Sequence, residues 1–212
     1  TQTTGILSIQ LFDLIAPAGC YASDHDMFVF MIDDTRPIKN PGSDKPLYRG
    51  FYLSNSEVGD RSYRATFFLL NHVCGNHIIW GAKDIFEVRK VHRGNEDKVT
   101  EGAWEATTKA VSAWKEESAL GVEHMLHKTY CTNLGSDQDS VVNFLFEKRI
   151  ASKRQLQAAF TLTEQHPEDG GGDSRSQWGM TQGLTRLSQE SKFADERDQL
   201  DRAASKVMRI KF

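Results

Sequence analysis

An α+β fold, an antiparallel sheet in the N-terminal half backed by C-terminal helices, is what this 212-residue chain predicts. Three observations predict it. Short apolar or alternating runs crowd the chain before His92, each bounded by Gly, Pro, Asn or Asp; apolar residues after Glu101 recur instead at spacings of three and four; and the change between the two patterns is abrupt.

Gly5 to Ile15 is apolar enough for a first strand. Met27 to Ile32 (MFVFMI) is a continuous apolar run between Asp24, Asp26, Asp33 and Asp34, the pattern of a strand covered on both faces with acidic turns at its ends. Asn40 to Pro46 (NPGSDKP) reads as a surface loop leading to a strand over Leu47 to Ser54. A turn at Asn55 to Asp60, with Gly59 free to take a positive φ, returns the chain into Ser62 to Val73 as a long hairpin. His77 to Trp80 and Ile85 to His92 continue a meander. Glu101 to Lys128 then repeats Trp104, Thr107, Val111, Trp114, Val122, Met125 and Leu126 on one helical face, with Gly121 a point of interruption. A second helix begins near Asp139, and a third is announced by Ser152 and Gln155 in capping-box spacing. His166 to Ser174 (HPEDGGGDS) has the composition of a flexible loop, and two helices follow it, over residues 175–191 and 194–211. Residues 1–98 thus form the sheet part and 99–212 the helical part.

Charge is unevenly distributed. The formal net charge is -3, yet residues 1–44 hold six acidic and two basic side chains, whereas residues 45–93 hold eight basic and four acidic. An anionic partner would meet the second region. No 18-residue apolar run and no signal-peptide pattern is present, and Cys20, Cys74 and Cys131 are odd in number and far apart, which leads us to expect reduced thiols in a cytoplasm.

Asn55, Ser56 and Gly59, followed by Val73, Cys74 and Asn76, form a pair of motifs; Val88 to Gly94 (VRKVHRG) is a short basic strand with a His, and Trp178 to Arg186 carries a Trp followed by Thr-Arg. In these features, from about Met27 onward, the chain resembles a family of bacterial and phage proteins labelled phage/plasmid-like or prophage-derived. His77 departs from the pattern, standing where Gly or a small polar residue is commoner. The resemblance implies a setting in mobile-element DNA metabolism or conflict, and no assigned reaction.

No complete catalytic signature appears. His72, Cys74 and His77, with Cys20 or His25, are zinc-type ligands without a zinc-type spacing, so a packed cysteine flanked by histidines is the simpler reading. Asp24, Asp26, Asp33 and Asp34 are oxygen ligands of the kind metal-dependent nucleases cluster, but the lysine or glutamate that would complete such a motif is missing. Neither a nucleophile elbow nor a phosphate-binding glycine loop is found, and residues 170–172 are not followed by Lys-Ser or Lys-Thr. We therefore expect no catalytic residues, no metal and no cofactor.

Arg49, Tyr52, Arg61, Tyr63, Arg64, Arg89, Lys90, His92 and Arg93, together with Tyr48, mix cations and aromatic rings on neighbouring strands, as required to track phosphates and stack bases of a single strand. Alternation assigns Arg61, Tyr63 and Phe67 to one face and Arg64 and Phe68 to the other. Lys148, Arg149, Lys153 and Arg154 form a second basic cluster at a helix boundary. The expected function is a non-enzymatic phage or mobile-element protein that binds single-stranded DNA, as a homo-oligomer in strand annealing or recombination, without membrane contact. The alternatives are a protein-interaction module acting against host defence and a metal-dependent nuclease.

Overall fold

A computed structural model describes residues 17–22, 26–56, 63–71, 76–79, 87–90, 104–105, 108, 112, 119–192 and 194–212. Its N-terminal half is an antiparallel sheet and its C-terminal half is helical, the class that the patterning predicts. Strands β1 (Pro17–Ala22), β2 (Asp26–Ile38), β3 (Leu47–Ser56) and β4 (Tyr63–Asn71) pair in chain order. The meander ends there. Strands β5 (Asn76–Ile79) and β6 (Glu87–Lys90) share the other edge of β4, β5 against Phe68 to Asn71 and β6 against Tyr63 to Thr66. Nine residues of β4 leave room for two four-residue partners side by side, so β6 does not extend the sheet beyond β5. The expected strand over 5–15 and the turns at 57–60 and 81–84 lie outside the described residues.

Strand β2 outruns its apolar core, which corrects the expectation that Asp33 and Asp34 end it. It continues to Ile38, with a register shift between Asp33 (opposite Arg49) and Ile38 (opposite Leu47). Residues 34–37 therefore face Tyr48 alone, a bulge that also accommodates Pro37, which has no N–H for the ladder. Both sheet faces are covered around β4: Phe67 and Leu69 on one and Phe68 on the other are buried, as are Phe51 and Leu47 opposite.

Among the described residues, helix α1 (Ala119–Cys131) passes straight through Gly121, which is exposed, and does not break there. Trp104, expected on a buried helical face, is 42% exposed. Helix α2 (Gln138–Glu147) starts with a reciprocal Asp137–Ser140 capping box, and α3 (Lys153–Gln165) with the predicted Ser152–Gln155 box. Helices α4 (Gln177–Glu190) and α5 (Ala194–Met208) complete the bundle, and Leu200, Ala203, Ala204 and Val207 give α5 the buried seam read from their spacing. Helix α4 is buried on every side from Gln177 to Thr185, the position of a central helix. Its polar side chains are used internally: Gln177 Nε2 donates to the Val207 and Ile210 carbonyls, closing the end of α5.

The glycine-rich loop is packed, contrary to the flexibility its composition predicts. A 3-10 turn (Pro167–Asp169) leads to Gly170 and Gly172 at φ 74° and 65°, conformations that favour glycine. Asp169, Gly170, Gly171 and Ser174 are buried. Tertiary contacts order the loop: Trp178 Nε1 donates to the Gly170 carbonyl (2.8 Å), and Asn71 Nδ2, at the end of β4, donates to the Asp169 carbonyl (3.0 Å) and to Gln182 Oε1 (3.2 Å). One buried amide thus joins the sheet, the loop and α4.

Candidate nucleic-acid interface

The predicted basic and aromatic residues divide by register. Arg64 stands opposite Arg89 and Ser54, while Tyr52 stands opposite Thr66, which in turn faces Glu87. Positions opposite one another or two apart along a strand share a face, so 52, 64, 87 and 89 belong to one side of the sheet. Tyr63 stands opposite Lys90, and both belong to the other side with position 49. Arg61, His92 and Arg93 lie outside the described residues.

Arg49 is a correction. It is 3% exposed, in register with Asp33 and on the face that carries Phe51, Phe67 and Leu69, so its guanidinium is enclosed and does not belong to a solvent-facing groove.

Asp33 is the member of the proposed acidic cluster whose surroundings are described, and its oxygens are engaged. Oδ1 accepts from the Thr35 backbone N–H (3.1 Å) and from the Thr35 hydroxyl, and Oδ2 accepts from Arg36 Nε (3.0 Å) and Nη2 (2.7 Å). Burial alone would raise its pKa; the hydrogen bonds from Thr35 and Arg36, with the Arg36 charge, outweigh burial and hold the carboxyl below its ordinary range. The arrangement closes the β2 bulge. Each Asp33 oxygen already accepts two hydrogen bonds within this bulge, a structural use that differs from metal ligation. Because the folded pKa is depressed, this stabilisation is fully present above the unfolded-state value and is lost as pH falls through the folded value. Replacing Asp33 with Asn is expected to cost about 1–3 kcal/mol at pH 7, with the gap to the parent shrinking below the ordinary value of 3.8. Urea midpoints at pH 7 and in acid measure it, and a gap that is unchanged by acid would contradict the assignment.

Among the described residues no three His, Cys, Asp or Glu side chains group to hold a metal ion. His72 and Cys74 lie outside these residues; His77 is placed in β5 opposite Leu70. Asn55 falls in β3 opposite Met27, and Asn76 opens β5 opposite Asn71.

Sequence reasoning missed Asn71 altogether. Its signal was available, since it is the polar residue that interrupts the run FFLLN, and a buried amide at a strand end needs partners. It likewise missed the ion pair of buried Asp169 with Arg186 (3.6 Å), which secures the loop to the outer turn of α4. No helix among the described residues is long and apolar enough to cross a membrane. No protein family, no curated protein and no solved structure matches the chain.

Proposed function

We propose that the protein binds single-stranded DNA without catalysing a reaction, in the setting of a phage or other mobile element, and that it acts as an oligomer in strand annealing or recombination. The observation that supports this is the β4–β6 register, with Arg64 opposite Arg89. Like charges placed directly across a sheet repel, and an anion on that face turns the repulsion into binding energy. Asp26, opposite Ser56, and Glu87, opposite Thr66, occupy positions of the same face, so the formal charges there balance and the like-charge pair is confined to the 64–89 row. Tyr52 occupies the adjacent row on the same side, opposite Thr66, which is buried, so the open part of this face is the end of β4 that carries Arg64. The setting rests on the resemblance carried by Asn55, Gly59, Cys74 and Asn76.

A fluorescein-labelled oligonucleotide titrated at two salt concentrations tests the proposal. Affinity is expected to fall as salt rises, because each phosphate contact releases counterions. Binding that ignores salt, or no binding at low salt, would reject it.

A further inference from the structure

The α2–α3 corner holds a second concentration of positive charge, and here the side chains are described. Lys148 caps the end of α2, Arg149 and Ile150 make the turn, and Lys153 and Arg154 open α3. Among the described residues none of the cations Lys148, Arg149, Lys153 and Arg154 pairs with a carboxylate. Lys153 Nζ donates to Asn143 Oδ1 (2.7 Å) and lies 5.1 Å from the centroid of the Phe146 ring, which is nevertheless 46% exposed. A surface concavity of about 520 Å³ is lined by Phe146, Glu147, Arg149, Ala151 and Ser152.

Two features of this corner run against stability. Arg149 sits at φ 56°, the described residue other than glycine with a positive φ. The hydrogen bonds around it, Arg149 N–H to the Phe146 carbonyl (2.9 Å) and Ile150 N–H to the Leu145 carbonyl (3.1 Å), define a Schellman turn whose left-handed position glycine fills with least strain. Lys153 and Arg154 occupy the first turn of α3, where the helix dipole is positive and acidic residues are favoured, and that turn contains no acidic residue. The cations where the dipole favours acids raise a positive potential that a polyanion would relieve, and the left-handed turn holds the Arg149 side chain beside them. Glu147 is the opposing charge in the concavity and offsets part of the field.

We infer that the α2–α3 corner is a second contact surface for the same single-stranded DNA, with phosphates held by Arg149 and Arg154 and a base stacked on the exposed part of Phe146. The inference rests on the single-stranded-DNA reading and names where else that strand is held. The chemistry at the corner distinguishes it from a site for free phosphate, because the aromatic ring has a role only if the ligand carries bases.

Arg149→Gly separates function from folding, since it relaxes the turn while removing a cation. It is expected to raise the Tm by roughly 2–4 °C and to weaken binding of an oligo-dT. Arg149→Gly with Arg154→Ala is expected to reduce the slope of log K against log salt by about 1.4, at about 0.7 for each contact with a single strand. Phe146→Ala should weaken oligo-dT binding by about five-fold or more and leave an abasic oligonucleotide of the same length unaffected. Parent-like affinity and slope in all these variants, with Arg64→Ala plus Arg89→Ala still weakened, would overturn the corner and spare the proposed function. A parent protein that binds no oligonucleotide would overturn both.

Discussion

Replacing Trp178 with Ala is expected to lower the unfolding free energy by about 4 kcal/mol, within the range for emptying a buried aromatic site. Trp178 is fully buried, and its indole N–H is the donor to the Gly170 carbonyl. A Cβ built on Gly42 would lie 3.2 Å from Trp178 Nε1 and 1.8 Å from the Gly170 oxygen, so the indole lies where the loop after β2 meets the glycine-rich loop. The alanine variant loses the ring and leaves the Gly170 carbonyl without that donor. Trp178→Phe keeps most of the volume and loses only the hydrogen bond, for about 1–3 kcal/mol. Urea unfolding followed by far-ultraviolet circular dichroism ranks the two. An alanine variant within about 1 kcal/mol of the parent would mean that the loop does not depend on the indole.

The second large effect is one of sign. Gly→Ala inside a helix ordinarily stabilises by about 1 kcal/mol, and Gly121→Ala in the exposed first turn of α1 is expected to follow that rule. Gly183→Ala in α4 is expected to do the reverse and cost about 3 kcal/mol. A Cβ at Gly183 would stand 2.0 Å from the Ala159 carbonyl oxygen and 2.7 Å from its carbon, both backbone atoms of α3 that cannot rotate away. Thr163 shows how close the helices run, since its one hydroxyl proton lies within reach of the Gly179 carbonyl of α4 (2.8 Å) and of the Ala159 carbonyl of its own helix (3.0 Å). Thermal unfolding of both variants checks the contrast. A Gly183→Ala protein as stable as its parent would show that α3 and α4 can separate at little cost.

These glycines illustrate what the sequence conveyed and what it withheld. Local features were legible: the Ser152–Gln155 capping box, the Leu200 to Val207 seam and the strand character of MFVFMI depend on neighbours within a few residues. The glycine-rich loop was misread because composition reports the entropy of the free chain, whereas its order comes from Asn71 and Trp178, which are remote or belong to another element. The enclosure of Arg49 is legible in the alternation that places it with Phe51 and Leu53, whereas its charge alone points to solvent. Phe67 and Phe68 were indistinguishable by pattern since both faces of β4 are covered there. The basic run at the α2–α3 corner was visible as charge, but the absence of carboxylate partners and the left-handed backbone of Arg149 emerge only from the fold.

Whether a nucleic acid crosses the β4–β6 face is decided most directly by the salt dependence of oligonucleotide binding, compared between the parent and the Arg64→Ala, Arg89→Ala protein. With both arginines on phosphates, the double variant should bind more weakly and its slope of log K against log salt should fall by about 1.4. Equal affinity and equal slope in the two proteins would contradict the account.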